Sequence, residues 1–141
     1  MKKSPTLTLD EILKVSLPYR LAAVKDASWA LDLLPKAAGG ATVQATIAGE
    51  IFLEGNLALF INPIVDNGFM HTRAILEFLG LAVKNGKLVE VARRRPSDVA
   101  IENYYLHGKP IPKISLEEVF QAINMPRPVV EWALVQICEN A

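Results

Sequence analysis

Between an Asn62-Pro63 start and a Gly80 stop lies the stretch that most restricts what this chain can fold into. Asn caps the first turn of a helix, Pro suits its first position, and Gly accepts the left-handed residue that closes it. Between those signals Ile64, Val65, Phe69, Met70, Ile75, Leu76, Phe78 and Leu79 spread around much of the helical circumference. The spacing predicts a helix over 62–80 that is buried on more than one side and serves as the core of the fold.

The flanking signals are mostly helical. Thr8-Leu9-Asp10-Glu11 is a capping box that predicts a helix from about Leu9. Pro18 kinks or restarts that helix, with Ser16 as a cap, and the continuation runs to about Leu34 before Pro35 and Gly39-Gly40. Residues 41–60 read two ways. Thr42 to Ile47 alternates like a strand, whereas Val43, Ile47 and Ile51 fit a helical face, and helix is preferred, with breaks at Gly49, Gly55 and Asn56. Asn85-Gly86 is a hairpin turn signal and admits a small β-hairpin near 81–91. Ser97 is expected to cap a short helix through Tyr105, followed by a connector with Gly108, Pro110 and Pro112. Ser115-Leu116-Glu117-Glu118 is a second capping box, and a last helix is expected near Val129 to Glu139. The expected class is all-α, an irregular bundle around 62–80. Residues 1–7 are expected to form a flexible arm and 8–141 a single helical domain whose segment 115–141 is a terminal helix pair.

At 141 residues, 51% hydrophobic and 21% charged, the chain is long and apolar enough to bury a core. Fifteen basic and fifteen acidic residues cancel, which argues against a nucleic-acid binder, because such proteins carry a positive footprint for phosphates. Cys138 is the sole cysteine, so no intrachain disulfide is expected and a reducing, cytoplasmic setting fits. Lys2-Lys3 is not followed by an apolar leader core, and no apolar run reaches eighteen residues, so neither export nor a membrane span is expected.

The densest polar constellation is His71, Arg73 and Glu77 on the central helix. Arg73 and Glu77 stand at i and i+4, close enough for an ion pair contributing about 0.3–0.5 kcal/mol. Asp66 joins that side at i−7 from Arg73, whereas His71 lies about 200° around the helix with Asn67. Asp66, His71, Arg73 and Glu77 are therefore candidates to line a ligand pocket, on two separate surfaces. Arg93-Arg94-Arg95, with Lys84 and Lys87 upstream, form the candidate anion-binding segment. His71 and His107 show no metal-ligand spacing, Cys138 lacks a visible base, and no phosphate-loop, dinucleotide or nucleophile-elbow motif occurs. No cofactor, metal or catalytic residue is expected.

His71 to Leu79 resembles the central helix of uncharacterised bacterial all-helical proteins with an H-x-R-x-x-x-[DE]-F-[LF] pattern, and Asp98-Val99 after a basic stretch is similar to the segment next to that helix in those proteins. The resemblance implies an all-helical fold and carries no activity. The helical HEPN ribonucleases place a histidine after an arginine with four to six residues between them. Here the corresponding positions after Arg73 are Phe78, Leu79 and Gly80, which argues against RNA cleavage. The apolar residues crowded into 129–138 point instead to an interaction protein that self-associates through 115–141.

Overall fold

The computed structural model describes residues 7–95 and 98–141. Most of the expected arm at 1–7 and the expected cap at Ser97 lie outside them. Helix α1 (Leu9–Glu11) opens on the Thr8 capping box, with Glu11 N–H donating to Thr8 Oγ1 at 3.2 Å and Thr8 N–H to Glu11 Oε2 at 2.7 Å. It passes through a π turn (Ile12–Ser16) into α2 (Leu17–Ala38). The Leu17 N–H reaches back to the Ile12 carbonyl, so the widened turn carries the chain past Pro18, and Ser16 makes no capping bond. Pro35 lies inside α2, in its last turn, where its missing donor removes only the bond that the Leu31 carbonyl would accept.

Residues 41–60 correct the helical expectation. Strands β1 (Thr42–Ile47) and β2 (Glu50–Asn56) form an antiparallel hairpin closed by Ala48-Gly49, at φ 51° and 87°. Helix α3 (Leu57–Leu79) then starts about one and a half turns before Asn62. Its cap is Asn56, whose Oδ1 accepts the Ala58 N–H at 2.8 Å. Pro63 sits in the second turn, where its missing donor leaves only the Leu59 carbonyl without an intrahelical partner. Gly80 ends α3 at φ 104°, as expected, with the Lys113 side chain passing 3.0 Å from where a Cβ would stand.

The expected hairpin near 81–91 is present as β3 (Leu81–Lys84) and β4 (Lys87–Glu90) around Asn85-Gly86. A third pair, β5 (Tyr105–Leu106) and β6 (Lys109–Pro110), replaces the expected connector and turns at His107-Gly108. All three turns place an X-Gly pair at positive φ, the geometry that matches strand twist in two-residue hairpins. The helix expected through Tyr105 is a single 3-10 turn at Ile101–Asn103. Helices α4 (Leu116–Ala122) and α5 (Arg127–Glu139) complete the chain, α4 opening on the Ser115 capping box. With 57% of residues in helix, 19% in strands and three two-stranded antiparallel sheets among the described residues, the class is mixed α/β, and the all-α expectation is corrected. Short X-Gly hairpins inserted between helices produce the difference.

Helices α2 and α3 pack as an antiparallel pair along a seam of small residues. Ala23, Ala27, Ala30 and Ala37 are the buried positions of α2, and Gly68 faces them from α3. A Cβ on Gly68 would overlap that of Ala27 and stand 3.1 Å from the Ala23 carbonyl, so the absent side chain sets how closely the helices approach. Near the hairpin end, Ala30, Ala37, Ile61 and Val65 form a small core. At the other end Leu76, Leu81, Leu88, Val119, Phe120, Val130 and Cys138 form a larger one, joining α3 to β3, β4, α4 and α5. The molecule is thus a base carrying a helical arm with a β-hairpin tip.

Candidate functional site

The four polar residues expected on the central helix separate. Asp66, Arg73 and Glu77 lie on the outer face of α3, with Leu59 and Met70 exposed on the same side. Arg73 Nε meets Glu77 Oε1 at 3.0 Å, with both side chains about half exposed (51% and 49%), a pair that water screens. His71 turns toward α2 instead. Arg20 Nη1 donates to its Nδ1 at 3.0 Å, and the Tyr19 ring meets it edge-on at 5.2 Å. Desolvation, followed by the Arg20 charge, lowers the imidazole pKa and favours the neutral acceptor form. His71 thus joins the two arm helices, through partners that sequence spacing does not reveal.

The arginine run also divides. Arg94 Nε binds Glu102 Oε1 at 2.8 Å with its side chain only 15% exposed, and its Nη2 reaches the Phe78 carbonyl at 3.5 Å. Lys113 Nζ stands 3.6 Å from the same carboxylate and donates to the Val91 carbonyl at 2.7 Å. Burial pushes the Glu102 pKa up, but the Arg94 hydrogen bond together with the Arg94 and Lys113 charges brings it below the ordinary value. Arg94 is therefore a strut of the base. Arg93 and Arg95 are exposed, and the Arg95 backbone N–H donates to Asp98 Oδ2 at 2.9 Å.

Two of the clefts in this region join side chains from separate elements. One, of about 480 Å³, brings Arg73 and Glu77 together with Arg94, Arg95 and Asp98, uniting parts of the two candidate sets. The other, about 170 Å³ and mostly apolar, lies between α2 and α3 beside Arg20 and Phe78. His107 occupies a turn position at φ 51°. Cys138 is buried in the base, and desolvation raises its thiol pKa, which disfavours the thiolate. Among the described residues no three His, Cys, Asp or Glu side chains gather as metal ligands.

The terminal segment expected to self-associate is partly consumed within the chain. Val130, Val135 and Cys138 of α5 are buried, whereas Met125, Val129 and Trp132 remain exposed. Beside Trp132 a groove of about 660 Å³ includes Leu116, Pro128 and Val135 with Lys87 and Arg127. The arm exposes more. Tyr19, Leu21 and Trp29 on α2, Ile47, Ile51, Phe52 and Leu53 on the hairpin, and Leu59 and Met70 on α3 all face solvent. The chain exposes 10148 Å², whereas a compact monomer of its 15.5 kDa exposes about 7,200 Å². An unfolded-chain allowance of about 1,300 Å² for the eight residues outside the described ranges still leaves an excess of about 1,600 Å².

No protein-family model, curated protein or solved structure matches this chain. No helix among the described residues is long and apolar enough to cross a membrane.

Proposed function

We propose that this chain is a cytoplasmic interaction module that associates with itself. The observation that carries the reading is the exposed apolar side of the arm. Its seam sets the alanines of α2 against Ile61, Val65 and Gly68 of α3, and Trp29, Leu59 and the hairpin tip stay outside it. A standard interface removes about 800 Å² from each partner, which the excess surface accommodates. Hydrogen exchange compared at low and high protein concentration tests the reading. Amides of β1, β2 and the outer half of α2 are expected to gain protection with concentration, and concentration-independent exchange there would count against it.

A second reading has its own observation: the cleft shared by Arg73, Arg94 and Arg95 is suited to a small anion. Titration with inorganic phosphate at low and high salt, monitored by shifts of the Arg73 and Arg95 amides, tests it. Saturable shifts that weaken with salt support it, and their absence argues against it.

A further inference from the structure

The chain separates its charges along its length. Residues 37–72, which include the whole hairpin tip, contain Glu50, Glu54 and Asp66 and no lysine or arginine. Residues 84–113 hold seven cations, at Lys84, Lys87, Arg93, Arg94, Arg95, Lys109 and Lys113, against Glu90, Asp98 and Glu102. The arm therefore ends in an acidic, apolar tip, and the segment 84–113 is basic, although residues 73–141 as a whole nearly balance, with nine cations against eight acids.

That tip is poorly covered within its own chain. Every residue from Thr46 to Glu54 is exposed, Phe52 at 59%, on a two-stranded sheet with both outer edges open. Two strands alone are marginally stable in water, and open apolar edges invite pairing. The absence of a cation across 37–72 disfavours anionic lipid or nucleic acid as the cover, since both attract Lys and Arg. A surface that is apolar at its centre and carries cations suits it better, and the Trp132 groove is such a surface. Trp132 is 66% exposed there, Lys87 is exposed, and Arg127, whose guanidinium lies 3.9 Å from Glu117 and 4.4 Å over the Phe120 ring, keeps a side chain 57% exposed. Glu131 and Glu139 share the groove, so particular pairings rather than its net charge have to match the tip.

We propose that the hairpin tip of one copy docks in the Trp132 groove of a second copy, Phe52 and Ile51 packing on Trp132 while Glu50 and Glu54 face Lys87 and Arg127. The contact is reciprocal. Helix α2 alone spans about 33 Å, so two arms lying antiparallel bring each tip to the other base, and the pair closes with two-fold symmetry. This inference rests on the self-association reading and names the surfaces it uses.

The test is light scattering on the full chain, on Phe52→Ser, on Trp132→Ser and on an equimolar mixture of the two variants. The wild type is expected to dimerise and each variant alone to weaken the dimer by about tenfold or more, the scale set by a central aromatic anchor. The mixture is expected to recover a heterodimer, because one intact tip and one intact groove remain. A charge swap checks the result without removing apolar side chains: Glu50→Lys with Glu54→Lys weakens association, and mixing with Lys87→Glu/Arg127→Glu restores it. Far-UV dichroism confirms that each variant folds. A Trp132→Ser protein that dimerises like the wild type, with Phe52→Ser monomeric, overturns tip-to-groove docking and leaves self-association standing. A monomeric wild type overturns both.

Discussion

Replacing Gly68 by Ala isolates the contact that shapes the arm. In an ordinary helix interior the change stabilises by about 1 kcal/mol, since alanine is the better helix former. Here the new methyl would overlap the Cβ of Ala27 and press on the Ala23 carbonyl, both on a neighbouring helix that moves only as a unit. Overpacking of this kind costs about 1–3 kcal/mol, and contact with backbone places Gly68 toward the upper end. The expected net effect is a destabilisation of about 1–2 kcal/mol, or roughly 3–8 °C in Tm for a chain of this size. Ala27→Gly on the same background returns the space, and the double-mutant cycle is expected to show favourable coupling of about 1–2 kcal/mol. Urea unfolding monitored by far-UV dichroism at one fixed protein concentration measures all four proteins, so that any linkage to association is held constant. A Gly68→Ala protein more stable than the wild type would refute the close-packed seam.

Ala48 holds φ 51° in a turn position that favours Asn, so Ala48→Asn is expected to stabilise the tip hairpin by about 0.5–1 kcal/mol, read as slower amide exchange in β1 and β2. His71 has a lowered folded-state pKa, so its neutral form contributes stability that is fully present above the ordinary histidine value near 6.5 and is lost as pH falls from there through the lowered folded value. His71→Gln is expected to flatten that part of the stability profile, and an unchanged slope would contradict the assignment. Glu102→Gln leaves Arg94 and Lys113 without their shared carboxylate and is expected to cost about 1–3 kcal/mol at neutral pH in thermal melts. Because the Glu102 pKa is lowered, that difference should persist above the ordinary glutamate range and disappear only as pH falls through the folded value.

Features set by neighbours in sequence are legible from it. Both capping boxes, the Asn85-Gly86 hairpin, the Gly80 stop and the Arg73–Glu77 pair each depend on residues within a turn of one another. Asn62-Pro63 misleads because it carries the same local grammar as a helix start, although Asn56 supplies the cap and a proline is tolerated one turn further in. The tip hairpin is hidden for a different reason. Its exposed Ile47, Ile51, Phe52 and Leu53 need not alternate with polar residues, so the period is ambiguous, and Ala48-Gly49 is a weaker signal than Asn-Gly. Contacts that need the fold stay invisible. Arg20 and His71 are 51 positions apart, and Arg94 reaches Glu102 only after the chain has turned between them. The Trp132 groove depends on β4, α4 and α5 meeting, which no local pattern specifies.

Whether the chain associates with itself is decided by sedimentation equilibrium across low to high micromolar concentration. Self-association through the arm and base predicts a mass rising from 15.5 kDa toward about 31 kDa, with a fitted monomer–dimer equilibrium. A mass that stays at 15.5 kDa over the whole range would contradict it.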